Sequence, residues 1–394
     1  MVLRNVMLCN TLYGVKIEAL PLSEMRTHRS EKWRGFPPDV LPLFVAEMDF
    51  PIAEPIKQTL LEMVTHSDLG YLSSIPELGK AFAGFAKRRW DWQVNPDYVR
   101  LCTDVGVGMV EVIRATTSPG DKVLINSPIY QNFYNWINET KVQLVDVPFI
   151  HTDESWDLDF ENIEKSYASG IKVHAICSPH NPLGKVFTQQ ELSQIADLAK
   201  RYGVVVISDE IHAPLTFSKE KFLPFLSVSD NAAEVGICVT SSSKAFNVAG
   251  LKSAIIVSQT AKNHEFLAKM PQSVHFRSSI LGAFAAVTAF NECDEWLDGA
   301  IATIESNAHF LKTLLNTHLP AVKYQIPQCS YLAWVDVSPL NLGEDPSAVF
   351  LDKGRVAFNA GKIYGEDSAQ FIRINLATSE SVLTEAVNRM VKSL

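Results

Sequence analysis

The stretch FTQQELSQIADLAKRYGVVVIS, residues 187–208, contains one complete structural unit. Thr188 followed three residues later by Glu191 makes a capping box, in which each side chain satisfies the other's free backbone N–H. Leu192, Ile195, Ala196 and Ala199 recur on one helical face, and Gly203 supplies the C-terminal stop. The run from Val204 to Ile207 has no polar alternation, which suits a strand covered on both faces. A capped helix feeding a buried strand predicts an α/β layer with right-handed crossovers.

Outward from this unit, similar apolar runs stand at 122–125 (KVLI), 142–147 (VQLVDV), 173–177 (VHAIC), 236–240 (GICVT) and 254–257 (AIIV). Together they predict a mostly parallel central sheet sandwiched by helices. Beyond about residue 285 the pattern changes to one long helix over 294–315, strands at 331–337 and 371–377, and a closing helix. The closing helix has Val382, Leu383, Ala386, Val387 and Met390 on one face, and this part reads as a smaller α+β domain. The expected division is a large α/β domain over 50–285, with 1–49 and 286–394 forming the N-terminal segment and small domain.

A chain of 394 residues exceeds the size at which one core usually stops growing, in keeping with two domains. Its net charge of -9 and lack of a Lys/Arg cluster argue against nucleic acid as a partner. No apolar run is long enough for a membrane span, and the N-terminus lacks the pattern of a secretory signal. Six scattered cysteines (Cys9, Cys102, Cys177, Cys238, Cys293 and Cys329) form no C-x-x-C pair. They read as reduced thiols of a cytoplasmic protein, with neither a disulfide framework nor a metal site.

Four segments fall at predicted strand ends, where open α/β sheets bind ligands. TSSSKAFNVAGLKS (240–253) sets Lys244 behind three serines and ahead of a small apolar run. Strand 204–208 delivers Asp209 and His212, and strand 173–177 delivers Asn181. TDVGVGMVEVI (103–113) puts Gly106 and Gly108 at the start of a helix. Taken singly these are ordinary: a surface lysine, a cap, a turn initiator, a glycine pair. Gathered at one sheet edge they suit pyridoxal 5'-phosphate. A lysine amine condenses with the cofactor aldehyde, and a carboxylate keeps the pyridine nitrogen protonated. A side-chain amide tunes the ring hydroxyl, and a helix N-terminus with serine hydroxyls receives the phosphate.

Seven stretches, in order, carry a closer likeness: EKWRGFPPDVLPLFVAEMDFPIAEPI (31–56), LGY (69–71), SPIYQNF (127–133), SPHNPLGKVF (178–187), SDEIHAPL (208–215), SSSKAFNVAGL (241–251) and FIRINLA (371–377). Over nearly its whole length the chain resembles the fold-type I pyridoxal-phosphate enzymes. Within them it resembles the MalY/PatB-like cystathionine β-lyase (C-S lyase) branch of the class I/II aminotransferase superfamily. The resemblance implies that Lys244 binds the cofactor covalently and removes the substrate α-proton, and that Asp209 pairs with the pyridine nitrogen. It implies that Asn181, helped by His212, holds the ring hydroxyl, and that Tyr130 stacks on the ring. The backbone at Val107 and Gly108, with Ser241 and Ser243, is expected to grip the phosphate. Tyr71 is expected to reach the phosphate of a neighbouring subunit in a homodimer, and Arg373 to clamp the substrate α-carboxylate, a task suited to a guanidinium fork.

The implied reaction on a small amino-acid substrate is β-elimination from L-cystathionine or a related cysteine S-conjugate, giving a thiol such as homocysteine, pyruvate and ammonia. An aminotransferase shares every step through removal of the α-proton and is the alternative. A regulator that binds a transcription factor is a third reading. The chain departs from the branch pattern at Arg34, at Glu47, at Cys329-Ser330 where Gly-Thr is usual, and in YGEDSAQFIR (364–373). Lys252 stands eight residues after Lys244, where many aminotransferases carry an arginine. The Arg34, Glu47, Cys329-Ser330 and 364–373 departures bear on substrate identity more than on cofactor chemistry.

Overall fold

The computed structural model describes residues 10, 11, 14–152 and 155–394. Cys9 and most of the N-terminal stretch read for a leader lie outside them.

Seven strands form the central sheet: β1 (Val99–Cys102), β2 (Lys122–Ile125), β3 (Gln143–Asp146), β4 (Ile171–Cys177), β5 (Val205–Asp209), β6 (Gly236–Thr240) and β7 (Ala254–Val257), in the order β1-β7-β6-β5-β4-β2-β3. Every pair from β6 to β3 is parallel, while β7 runs antiparallel to both β6 and β1. The α/β class and the mostly parallel sheet are as expected. Six of the strands match the apolar runs; β1 was not foreseen. It is four residues long, carries Arg100 and leaves two residues half-buried, so it has none of the continuous apolar character of the inner strands.

The helices that matter here are α1 (Glu54–Thr65), α2 (Pro76–Trp90), α3 (Val105–Thr116), α4 (Gln189–Tyr202), α5 (Ile280–Glu292), α6 (Asp294–His318) and α7 (Glu380–Lys392). The Thr188 hydroxyl accepts from Glu191 N at 3.2 Å, and Glu191 Oε2 accepts from Thr188 N at 2.8 Å. Gly203 closes α4 in the left-handed region at φ 69°, where a Cβ is unfavourable. α5 is apolar nearly all round and is correspondingly buried, packed against α1 and α2.

A second sheet, β8 (Lys323–Tyr324), β9 (Leu332–Asp336), β10 (Asn359–Ala360) and β11 (Phe371–Asn375), is antiparallel in the order β8-β9-β11-β10. α6 packs against α7. Between the two sheets runs the segment 43–50. Asn375 Nδ2 donates to Val45 O (2.8 Å) and Glu47 O (2.6 Å), and Asn247 Nδ2 donates to Met48 O (3.0 Å) and Phe50 O (3.2 Å). Asp49 is buried against Lys32 at 2.6 Å, a pairing that removes the cost of sequestering either charge alone. This strap brings the second sheet against the carboxyl ends of β4, β5 and β6.

Among the described residues no helix is long and apolar enough to cross a membrane.

Candidate active site

Parallel register sets the floor of the site. Asp209, the last residue of β5, pairs with Cys177 on β4 and Val239 on β6, so the segments after the three strands emerge side by side. They carry Asn181, His212 and Lys244, and β11 faces them with Arg373. These side chains and Tyr130 line one cavity of about 540 Å³, within the range of small-ligand sites.

Asp209 is 3% exposed, and the only hydrogen bond to its carboxylate among the described residues comes from Ile211 N at 3.1 Å. Burial pushes its carboxyl up to about 7, against the opposing pull of the Ile211 N–H and the Lys244 cation. Lys244 Nζ donates to Ala46 O at 3.0 Å. Burial, then the Arg373 cation, lowers its amine to about 8, although Glu47 and Asp209 act the other way. Lys244 is therefore an amine that readily gives up its proton. Burial, Lys244 and Arg373 also depress His212 to about 3, so its imidazole is neutral.

Arg373 is 3% exposed and forms no ion pair among the described residues. Nη1 donates to Asn181 Oδ1 (3.1 Å), Nη2 donates to Phe44 O (3.0 Å), the guanidinium lies 5.1 Å from the Tyr364 ring centroid, and Nε has no partner. A buried cation without an anion is costly, and here it borders a cavity that can admit a carboxylate. Because Asn181 Oδ1 is taken by the guanidinium, the amide presents Nδ2 as its free donor. Tyr130 is half-buried, with its hydroxyl accepting from Asn132 Nδ2 at 2.7 Å.

The phosphate end differs from expectation. Val107 N donates to Asp104 Oδ1 at 2.8 Å, and Gly108 N makes the first intrahelical bond, to Asp104 O at 2.9 Å. Neither residue lines the cavity; Val105 and Gly106 do, and their N–H groups in the first turn of α3 have no intrahelical acceptor. The anion-receptive backbone is thus two residues earlier than Val107 and Gly108. Gly108 serves packing: a Cβ there would meet Val239 Cγ1 at 2.7 Å. A Cβ on Gly106 would come within 3.0 Å of Trp136 Nε1, so this glycine lets the indole approach the helix start. Ser243 lines the cavity, as does Lys252, whose Nζ is 3.1 Å from Asp104 Oδ2. Ser241 is turned inward. Its hydroxyl donates to Ser253 O (2.7 Å) and accepts from Ser243 N (3.0 Å), which shapes the turn without opening on the cavity.

Tyr71 lies outside this cavity and is 98% exposed. Sequence reasoning gave no role to the strap carbonyl of Ala46, to Asn359 or to Trp136, all at the cavity wall. Ala46 lay within a quoted motif, but a backbone acceptor leaves no residue-type signal. Trp136 follows SPIYQNF by three residues on an amphipathic helix, where an aromatic reads as core.

The donor set fits pyridoxal phosphate. A carboxyl raised by burial suits a ring N–H, a depressed lysine amine suits an aldehyde, and the free Asn181 amide suits a phenolic oxygen. The open first turn of α3, with Ser243 and Lys252, suits a phosphate.

Comparison with known proteins agrees. A cystathionine beta-lyase of Corynebacterium glutamicum is 33% identical over 373 residues, covering 95% of this chain and 99% of that protein. Cystathionine beta-lyase PatB of Bacillus subtilis is 32% identical over 359 residues, covering 90% and 93%. The crystal structure of cystalysin from Treponema denticola, which contains a pyridoxal 5'-phosphate cofactor, matches with a TM-score of 0.89 at 28% identity, covering 97% of this chain and 98% of that one. The model of the aminotransferase class I and II family matches residues 38–390, a span that takes in every side chain around the cavity, and the chain belongs to that family.

Proposed function

We propose that the protein is a pyridoxal-phosphate-dependent carbon-sulfur β-lyase that converts L-cystathionine or a related cysteine S-conjugate, with water, into a thiol, pyruvate and ammonia. The observation that carries this reading is the convergence of a deprotonatable Lys244, a buried Asp209 and an anion-free Arg373 on one cavity. The likeness to cystathionine β-lyases over nearly the full chain supports it.

Pyridoxal phosphate, when bound, supplies an electron sink for the negative charge left on the substrate α-carbon. Arg373 binds the substrate carboxylate through its fork and, held by Asn181 and Phe44, fixes the α-carbon relative to Lys244. Lys244 Nζ takes the α-proton, a task for a base whose pKa lies near the working pH. Asp209 would hold the proton of the pyridine nitrogen. Asn181 Nδ2 and His212 would donate to the ring hydroxyl oxygen, Tyr130 would cover the ring face and exclude water, and the first turn of α3 with Ser243 and Lys252 would hold the phosphate. Departure of the β-thiolate needs no second substrate.

We assign the protein to the cytoplasm and to a homodimer. The five described cysteines are all unpaired and buried, in keeping with a reducing compartment. The outward-pointing Tyr71 fits a role in the site of a second copy. The test is to mix the protein and pyridoxal phosphate with L-cystathionine and follow thiol and pyruvate, with and without an acceptor keto acid. Release without acceptor is expected; products formed only with acceptor would make the protein an aminotransferase.

A further inference from the structure

Ser330 is 4% exposed and sits at φ 72°, a left-handed conformation unfavourable for a residue with a Cβ. Backbone and side chains around it converge on His212. Ser330 N donates to Leu215 O at 3.0 Å, and Cys329 Sγ donates to His212 O at 3.2 Å. Ser330 Oγ lies 3.0 Å from His212 Nδ1. Among the described residues this ring nitrogen is the only partner of the Ser330 hydroxyl. A buried hydroxyl must place its proton on an acceptor, and Nδ1 is the one in reach. With Nδ1 as that acceptor, the neutral imidazole carries its proton on Nε2. That nitrogen has no protein partner among the described residues, in a ring that lines the cavity beside Asp209, Lys244 and Arg373. The Tyr331 ring packs edge-on against the imidazole at 6.4 Å.

We propose that Ser330 is a positioning residue that fixes His212 in its Nε2–H tautomer, so that His212 acts as a hydrogen-bond donor to the phenolic oxygen of bound pyridoxal phosphate. The proposal rests on the cofactor reading above. It gives the Cys329-Ser330 departure a structural function: the thiol anchors the His212 main chain and the hydroxyl orients the ring. Maintaining the unfavourable φ for the sake of the hydroxyl is the kind of local strain found where a side chain must be aimed.

The test uses Ser330→Ala, Ser330→Gly and Ser330→Thr. Ala and Gly both delete the hydroxyl, but Gly also relieves the φ, so the two separate hydrogen bonding from stability. Nitrogen-15 spectra of the ten histidines, with and without pyridoxal phosphate, read the tautomer directly. Wild type and Ser330→Thr should show His212 protonated on Nε2 alone, with Ala and Gly moving towards a mixture. In the holoprotein, a donor to the phenolate favours its charged form. The pH midpoint of the visible cofactor band should therefore rise by about one unit in Ala and Gly alike. A wild-type His212 protonated on Nδ1, or unmoved midpoints in both Ala and Gly, would overturn the proposal. If wild type develops no Lys244-dependent visible band at all, the cofactor reading fails instead, while the tautomer measurement still decides the Ser330–His212 contact.

Discussion

Replacing Arg373 separates what the guanidinium does for the fold from what it does for the substrate. In Arg373→Met the apolar stem volume is kept and the fork is lost. Two charge-assisted bonds to the substrate carboxylate, each worth about 1.5–3 kcal/mol net, disappear. The sum corresponds to a fall in kcat/KM of about 10² to 10⁴, expressed in KM through lost carboxylate binding and in kcat because the α-carbon is no longer fixed relative to Lys244. The stability balance is different. The variant removes a buried cation that has no anion among the described residues, which is a gain. It also strips donors from Asn181 Oδ1 and Phe44 O, at about 1–3 kcal/mol for each one left unsatisfied. These opposing effects leave folding stability within about 2 kcal/mol of wild type. The assay is pyruvate release from L-cystathionine over a range of substrate concentrations, with urea unfolding in parallel. Arg373→Lys keeps the charge without the fork and should fall between wild type and Met. Activity in Met within tenfold of wild type refutes the carboxylate role; a collapse of stability shows that the guanidinium is structural.

Two further variants test the reading from other directions. Lys244→Met should abolish both turnover and the visible cofactor band, yet stabilise the cofactor-free protein at pH 7. The native amine sits near 8 and the ordinary value is 10.5, so between these values the unfolded chain binds more protons. The wild type accordingly gains up to about 3 kcal/mol as pH rises across that window, and Met should show no such gain relative to wild type in urea titrations. Tyr71→Phe should weaken cofactor retention about tenfold, the loss of roughly one hydrogen bond to phosphate, without altering Tm. Unchanged retention in a protein that sediments as a dimer removes Tyr71 from the site.

Most of the fold was readable because inner strands covered on both faces must be continuously apolar, and α4 announces both its ends. β1 escaped because an edge strand carrying Arg100 needs no such run. At the site, Asp209, Asn181, His212 and Lys244 were legible as chemistry-bearing residues at strand ends. The N–H groups that face the cavity at the start of α3 were not. Whether a helix starts at Val105 or at Val107 depends on Asp104 acting as the cap, and in TDVGVGM the two glycines obscure the start. The Ala46 carbonyl that holds Lys244 and the Ser330 hydroxyl beside His212 come from segments 198 and 118 residues away from their partners, distances at which local pattern carries no information.

Lys244 and Asp209 are displaced in opposite directions by the same burial, and this has a consequence for cofactor loading. Lys244 must be neutral to condense with an aldehyde, which favours pH above about 8. Asp209 must share a proton with the ring nitrogen, which favours pH below about 7 if that proton is already on the carboxyl. Affinity for pyridoxal phosphate should therefore fall about tenfold per unit on the acid side, where Lys244 is protonated, and on the alkaline side, where Asp209 has lost its proton. Asp209→Asn should remove the alkaline limb and leave the acid limb, since only the lysine then titrates. Fluorescence titration of the cofactor-free protein from pH 6 to 9.5 measures both limbs, and a curve that rises monotonically in wild type refutes the coupling of Asp209 to loading while leaving Lys244 as the group that sets the acid limb.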